Sequence, residues 1–536
     1  MTVADTIVSR LVGAGTRAIF GMPGGGSNLD LIAAAQRHDL PFVLSQTETA
    51  GAIMASAQAE VTGAPGACLS TLGPGVSSLV NGVAHAWLDR APVVVLTDAM
   101  DLTARRHYEH QNLPHAALLR PITRFSEDLV AERVDAQLTE ALARATGDPS
   151  GPVHLDCAHD VIGAPAAVAT DAASAARPPS QPNVDGHPAQ AAASRLLRQS
   201  KRPLVIVGLG ARRVGDVAAV RRLCETCGLP VLVTYKAKGV VPDDHSLYAG
   251  LFTLGRIEQP LVESSDLIVT VGLDPVELLP RAWPYGQPVV HCTRSPAESD
   301  QLPPGHTLVG DIAAILRHVQ ECLPRSSNWT LELIAAHRER QRAAVIATSD
   351  TFTPDKAADA VAREATHVLR VTVDAGAHMF PAMALVPARM PSRILISNGL
   401  STMGYAVPAA IGAALLDRRQ PVVAITGDGG LLMCLGELRT AAREELRLVV
   451  VVLADGELSL IRIKQDRRGL DPVGVRLGDM DWPSAAAALG LRAYRACDAA
   501  TLRRHLSQAL AAPGPSLIEA RVDPGGYGSM LKALRG

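Results

Sequence analysis

Val422-Val423-Ala424-Ile425-Thr426-Gly427-Asp428-Gly429-Gly430 and, 28 positions on, Val450-Val451-Val452-Leu453-Ala454-Asp455-Gly456-Glu457 decide how this chain is read. Each is an apolar run of strand length that stops abruptly in acid and glycine. Residues 431–445, between them, read as a helix. A strand–turn–helix–strand unit of this kind belongs to a parallel sheet, and its loops lie at the carboxyl ends of the strands. Two carboxylates on neighbouring strand ends can hold a hard divalent cation. The glycines let backbone N–H groups approach phosphate oxygens at a helix start. The pattern therefore suits a metal–diphosphate.

The rest of the chain narrows the class. At 536 residues it is too long for one hydrophobic core, so two or three domains are expected. Hydrophobic residues make up 47% and charged residues 19%, which fits a packed globular protein and not a disordered one. A net charge of −2 and an aromatic content of 3% offer neither a basic field nor stacking platforms, so nucleic acid is not expected as a partner. No apolar run approaches the roughly 20 residues that span a bilayer. The opening Met1-Thr2-Val3-Ala4-Asp5 lacks a basic region followed by an apolar one. A cytoplasmic protein with no membrane partner is expected. Eight cysteines in so long a chain do not make a disulfide framework. Cys224-Glu225-Thr226-Cys227 has metal spacing, but no second pair completes a zinc site, and its helical context points to packing.

Short apolar runs alternate with helical patterns over residues 1–165, and again over 190–323 and 354–536. Such alternation implies an α/β fold of three domains, each a mostly parallel sheet covered by helices. Residues 164–190 are rich in Ala, Pro, Ser and Asp and read as a linker; 324–353 read as a polar, helical connector. The first and third blocks share a likeness. Leu88-Asp89-Arg90-Ala91-Pro92-Val93-Val94-Val95-Leu96-Thr97-Asp98 parallels Leu416-Asp417-Arg418-Arg419-Gln420-Pro421-Val422-Val423-Ala424-Ile425-Thr426-Gly427-Asp428, as a duplicated domain would.

The Gly427–Glu457 segment resembles the cofactor motif of thiamine-diphosphate-dependent enzymes, and the chain as a whole is similar to the acetolactate-synthase-like members. The resemblance implies a pyrimidine-binding first domain, a central Rossmann-like domain and a diphosphate-binding third domain. It implies that Gly427, Asp428, Gly429, Gly430 and Asp455 bind thiamine diphosphate with Mg2+. The metal would be held by Asp428, Asp455 and the backbone carbonyl of Glu457. This chain departs from the family in having Ala454-Asp455 where the family has paired Asn, which adds one negative charge.

Ser45-Gln46-Thr47-Glu48-Thr49-Ala50-Gly51-Ala52 joins a strand to an Ala-rich helix. By itself Glu48 reads as an acid decorating a helix start. The resemblance makes it the catalytic carboxyl that contacts the aminopyrimidine ring and tunes it for removal of the thiazolium C2 proton. Asn398-Gly399-Leu400-Ser401-Thr402-Met403-Gly404-Tyr405 matches the loop in which Met403 wedges between the two cofactor rings and the Ser401 carbonyl meets the pyrimidine. Asp374-Ala375-Gly376-Ala377-His378 resembles the diphosphate loop, with Gly376, Ala377 and His378 as contacts.

For the substrate, Gly24, Gly25, Gly73 and Gln111 fall on loops that the resemblance sets at the cleft mouth. It implies decarboxylation of a 2-oxo acid, with pyruvate as the expected donor, and ligation to a second carbonyl. A benzoylformate-type decarboxylase or an aldehyde lyase of the same family stays open. Gly208-Leu209-Gly210 is part of a dinucleotide fingerprint, but Val231-Leu232-Val233 leads to Thr234-Tyr235-Lys236 with no acid for a ribose, which speaks against a NAD-dependent oxidoreductase. Some acetolactate synthases carry FAD in the central domain. Here Gly272-Leu273-Asp274-Pro275-Val276-Glu277 stands in place of their Arg-rich segment, and Gly474-Val475-Arg476-Leu477-Gly478-Asp479-Met480-Asp481 is similar to the flavin-free catabolic group, so FAD is not expected. The family completes its site across subunits, which implies a homodimer at least and commonly a homotetramer.

Overall fold

β-Branched runs become strands here because both of their faces are covered. In the computed structural model, which describes residues 1–101, 103–166, 188–296, 299–364 and 370–535, Leu448–Ala454 is buried along nearly its whole length and Val422–Gly427 along all of it. The described strands form three six-stranded sheets. Every strand pair in them is parallel.

The first sheet contains β1 (Ile19–Gly21), β2 (Phe42–Leu44), β3 (Gly66–Ser70), β4 (Val93–Ala99), β5 (Ser126–Asp128) and β6 (Val153–Ala158), in the order β2-β1-β3-β4-β6-β5. The central sheet contains β7 (Pro203–Val207), β8 (Val231–Val233), β9 (Tyr248–Leu251), β10 (Leu267–Val271), β11 (Val289–Thr293) and β12 (His306–Val309), in the order β12-β11-β10-β7-β8-β9. The third contains β13 (Arg370–Val373), β14 (Ile394–Ile396), β15 (Val422–Gly427), β16 (Leu448–Ala454), β17 (Arg492–Ala496) and β18 (Ser516–Arg521), in the order β14-β13-β15-β16-β18-β17.

The first and third sheets are thus wound identically, and the central one has the order of dinucleotide-binding sheets read from its other edge. The sequence likeness between blocks does not mark the equivalent strands, however. It aligns β4 with β15, whereas the shared winding sets β15 in the place of β3 and β16 in the place of β4. What repeats is the topology; the matching stretches are offset by one strand–helix unit.

The first and third sheets share one core. The Glu48–Thr62 helix lies against the Ala406–Ala414 helix, and Met54, Ile53, Ile411 and Ala410 are buried in the same cluster. Their backbones approach so closely that a Cβ on Gly412 would stand 2.5 Å from the Met54 carbonyl oxygen. This is why small residues follow Glu48: a Cβ on Gly51 would meet the Gly21 backbone at 3.0 Å.

The single helix expected over 431–445 is instead two, Asp428–Met433 and Glu437–Arg443. Leu432 and Met433 are exposed, so the apolar pattern that suggested one continuous face does not face the core. The chain turns at Gly436, where a Cβ would lie 3.2 Å from that of Gln46, and the Glu437 carboxylate then accepts from the Gln46 and Thr47 N–H groups. Most of the linker expected over 164–190 falls outside the described residues. Cys224 and Cys227 lie in the Val214–Cys227 helix within the central core, where burial pushes both thiols up. Among the described residues no helix is long and apolar enough to cross a membrane.

Candidate active site

Register sets the two acids side by side. Gly427 of β15 is paired with Leu453 of β16, so Asp428 and Asp455 leave neighbouring strands at the same end of the sheet. Asp428 Oδ2 accepts from the Gly456 N–H at 2.7 Å and Oδ1 from the Gly429 N–H at 2.8 Å. Asp455 accepts from the Glu457 N–H at 3.1 Å and from the Ser459 hydroxyl at 2.6 Å. Burial raises both carboxyls, and the charges of Asp428 and Glu457 help push Asp455 to about 6. Such a pair holds its protons tightly because, among the described residues, no cation neutralises it.

The Glu457 carbonyl stays outside the local ladder. The strand-like pairing of Glu457 with Arg476 is made by the Leu458 N–H on Val475 and the Leu477 N–H on Gly456, which flank it.

Three loops converge on this end of the third sheet. His378 is buried after β13, its ring against Gly376 and Gly427: a Cβ on Gly427 would lie 3.1 Å from it. Burial pushes this imidazole down to about 4, and its Nε2 is buried without a hydrogen-bond partner among the described residues. The Met403 Cε would come within 3.3 Å of a Cβ on Gly429, so the absent side chain there is what lets Met403 lie over the Asp428 turn. Ser401 has φ +54, a left-handed conformation that non-glycine residues adopt rarely.

Asp374, quoted above only as part of the diphosphate loop, organises this end of the sheet. Fully buried, it accepts from Ala375 N–H (2.8 Å), the Thr426 hydroxyl (2.9 Å), Gly404 N–H (3.2 Å) and Tyr405 N–H (3.3 Å). It therefore ties β13, β15 and the Met403 loop together. Leu458 and Leu477 close over Gly429. Apart from the Ala375 N–H, these contacts have no local sequence signal, because they join segments tens of residues apart.

Glu48 stands at the first turn of its helix, half-buried, with Thr47 capping the Ala50 N–H. Its Oε1 lies 3.3 Å from where a Cβ on Gly75 would be, so the first sheet brings Glu48 up to the turn after β3. Among the described residues no hydrogen bond or ion pair joins Glu48 to the Asp428–Asp455 pair within the chain. Gly73 adopts φ +63 with the Gln111 backbone against its α-carbon, and Gln111 itself has φ +59. Gln111 lines a cavity of about 160 Å3 together with Leu72, Arg105 and His115. Gly24 abuts Thr71, whereas Gly25 faces open space. The four substrate candidates thus flank the loops after β1, β3 and β4.

The Gly208–Gly210 turn is filled from within. A Cβ on Gly208 would lie 2.4 Å from Leu273 Cα, and Leu209 N–H donates to Glu277 at 2.9 Å. The strand end that would carry a ribose-binding acid carries Lys236, whose ammonium bonds Glu60 and Asp89.

Comparison with known proteins matches three family models along the chain: the thiamine pyrophosphate enzyme N-terminal TPP binding domain over residues 1–118, the central domain over 190–319 and the C-terminal TPP binding domain over 374–520. An acetolactate synthase of Bacillus subtilis (strain 168) is 30% identical over 535 residues, covering 97% of this chain and 93% of its own. A catabolic acetolactate synthase of Raoultella terrigena is also 30% identical, over 547 residues, covering 97% and 95%. The X-ray structure of a protein from Mycobacterium smegmatis, described as thiamin diphosphate-dependent, shares the fold with a TM-score of 0.81 at 24% identity, over 97% of this chain and 99% of that one.

Proposed function

The chain belongs to the thiamine pyrophosphate enzyme family, its acetolactate-synthase-like branch, and we propose that it decarboxylates pyruvate and joins the two-carbon unit to a second carbonyl compound, giving 2-acetolactate when the acceptor is also pyruvate. One observation carries the reading: two carboxylates at neighbouring parallel strand ends, with no cation beside them among the described residues, under a loop that lays Met403 against Gly429. Thiamine diphosphate with Mg2+ fits this end of the sheet. The Asp428–Asp455 pair calls for a divalent cation. The buried, unpartnered His378 Nε2 calls for a polar group such as a phosphate oxygen.

On this reading Asp428, Asp455 and the Glu457 carbonyl hold Mg2+. Gly376, Ala377, His378, Gly427, Gly429 and Gly430 line the diphosphate. Met403 and the Ser401 carbonyl orient the rings, and Glu48 holds a proton at the aminopyrimidine. When bound, the cofactor supplies a nucleophilic carbon and an electron sink for loss of CO2. Leu458 and Leu477 keep water from the metal side. Gly24, Gly25, Gly73 and Gln111 border the substrate path. Among the described residues Glu48 has no hydrogen-bonded partner, which supports a homodimer in which a second copy brings the third domain to it.

The flavin-free reading rests on the segment after β10, where Gly272–Glu277 stands in place of an Arg-rich stretch and Asp274 is held by Arg90 through two hydrogen bonds of 2.8 and 3.2 Å; the cleft beside it is nevertheless lined by Arg212, Arg213 and Arg294. The test is a screen of 2-oxo acids, alone and with aldehydes, scored for CO2 and for ligated product by mass. Pyruvate alone should give CO2 and acetolactate only with thiamine diphosphate and Mg2+. CO2 from an aromatic 2-oxo acid with aldehyde as the sole product would replace the synthase reading with a benzoylformate-type decarboxylase, and no CO2 from any acid would refute both.

A further inference from the structure

Lys236 is buried where all three sheets meet. It follows β8, and its side chain is 2% exposed. Its ammonium has three protons to donate. They go to Glu60 Oε2 on the Glu48–Thr62 helix at 2.6 Å, to Asp89 Oδ2 at 3.0 Å, and to the Ile396 carbonyl at the end of β14 at 3.1 Å. Glu60 also accepts from Arg212 at 3.0 Å. Glu60, His85 and Asp89 have ligand atoms within 4.8 Å of one another, a spacing that would serve a metal ion. Lys236 already supplies the cation there.

Asp89 is where this cluster reaches the cofactor side. Its Oδ1 accepts from the Gly399 N–H at 2.7 Å and its Oδ2 from the Asn398 N–H at 3.2 Å. One turn earlier, His85 Nδ1 meets the Ser397 hydroxyl at 3.0 Å, and that hydroxyl accepts from the Thr402 N–H at 3.1 Å. Gly399 is seated so closely on the end of the Pro74–Leu88 helix that a Cβ would lie 2.7 Å from that of Leu88. The segment carrying Ser401 and Met403 is therefore gripped at its start by Asp89 and at its end by Asp374, with Met403 between the grips.

The charges balance. Burial holds His85 below its ordinary range, so it is neutral. Burial opposes ionisation of Asp89, but Lys236 and the Gly399 N–H hold it below the usual carboxylate range. Lys236 and Arg212 thus face Glu60 and Asp89. Without the ammonium, Asp89 would sit buried beside Glu60 with one cation fewer and would hold its proton, and a protonated carboxyl accepts more weakly from the loop.

We propose that Lys236, a residue of the central domain, is a positioning residue for the Met403 loop: its ammonium, bonded to Asp89 and to the Ile396 carbonyl, holds the Asp89 carboxylate against the Asn398 and Gly399 N–H groups, and Asp89 fixes the backbone from which Ser401 and Met403 reach the cofactor. This rests on the reading of residues 397–405 as the cofactor loop. It gives the central domain a part in cofactor binding without a ligand of its own.

The test is hydrogen exchange on the full-length protein without cofactor, joined to calorimetric titration with thiamine diphosphate and Mg2+. Two variants are compared with the unaltered chain: Lys236→Met, and the pair Lys236→Met with Glu60→Gln, which removes one charge of each sign and spares the fold a second buried acid beside Asp89. Amides over 398–404 should exchange about tenfold faster or more in both variants, as loss of a charged hydrogen bond implies. Amides of β15 and β16 should be unchanged, and thiamine diphosphate should bind more weakly by a similar factor. The role is overturned if the double variant exchanges normally over 398–404, if exchange rises equally throughout the chain, or if the loop loosens while cofactor affinity holds. All of these readings are taken without substrate, so a failure of the proposed reaction in the 2-oxo acid screen would leave them standing.

Discussion

Replacing Asp374 by Asn should make the cofactor-free protein more resistant to heat as the pH rises from 4 to 7, relative to the unaltered chain. Asp374 is fully buried, and burial raises its carboxyl from 3.8 to about 6 despite four hydrogen bonds from Thr426, Tyr405, Ala375 and Gly404. In the unfolded chain the same group loses its proton near pH 4. Between about pH 4 and 6 the native state therefore binds a proton that the unfolded state does not, and stability falls as the pH rises through that window.

Two pH units correspond to about 3 kcal/mol, which is an upper limit. Asn mimics the protonated form and cannot ionise. At pH 4 the two proteins should differ only by geometry: one buried N–H loses its acceptor, at a cost of about 1–3 kcal/mol. By pH 7 the difference should have moved in favour of Asp374→Asn by as much as 3 kcal/mol, or about 6–12 °C for a unit of 150–250 residues that unfolds as one. Thermal scans of both proteins at half-unit pH steps read the difference, and every other titrating group cancels. A difference that stays flat, or turns against the variant as the pH rises, would mean that the N–H groups stabilise the ionised form more than burial penalises it. The account of Asp374 would then be wrong in sign.

Glu48→Gln should keep thiamine diphosphate affinity within a few fold but lose about 10²–10⁴-fold in turnover, as removal of a general acid–base group does; unchanged steady-state rates would remove Glu48 from the mechanism. Asp428→Ala should need far more Mg2+ to retain the cofactor, read by calorimetric titration, because a single remaining carboxylate binds the ion weakly; superimposable curves would discard the metal assignment. Gly412→Ala should destabilise the protein by about 1–3 kcal/mol, since the new methyl must displace the Met54 backbone. A midpoint of denaturation equal to that of the unaltered protein would show that the two helices can part without cost.

The sequence by itself determined the parallel α/β class, the three blocks and the two acid–glycine strand ends. Each is written in local pattern: valine runs such as Val449-Val450-Val451-Val452 have only one home, the doubly covered strand, and glycine next to acid at a strand end has few purposes. Glu48 was legible only through family resemblance, because an acid at a helix start is ordinary. The tertiary structure decided what depends on distance in space. It broke the 431–445 helix, because Glu437 and Gly436 answer to Gln46 and Thr47, nearly 400 residues earlier. It showed that the repeat lies in the winding of two sheets and not in the two stretches that look alike. It made Asp374, Asp89 and Lys236 neighbours of one loop, a fact absent from any local window because a buried charge chooses its partner by desolvation and reach, and the chain's order constrains neither.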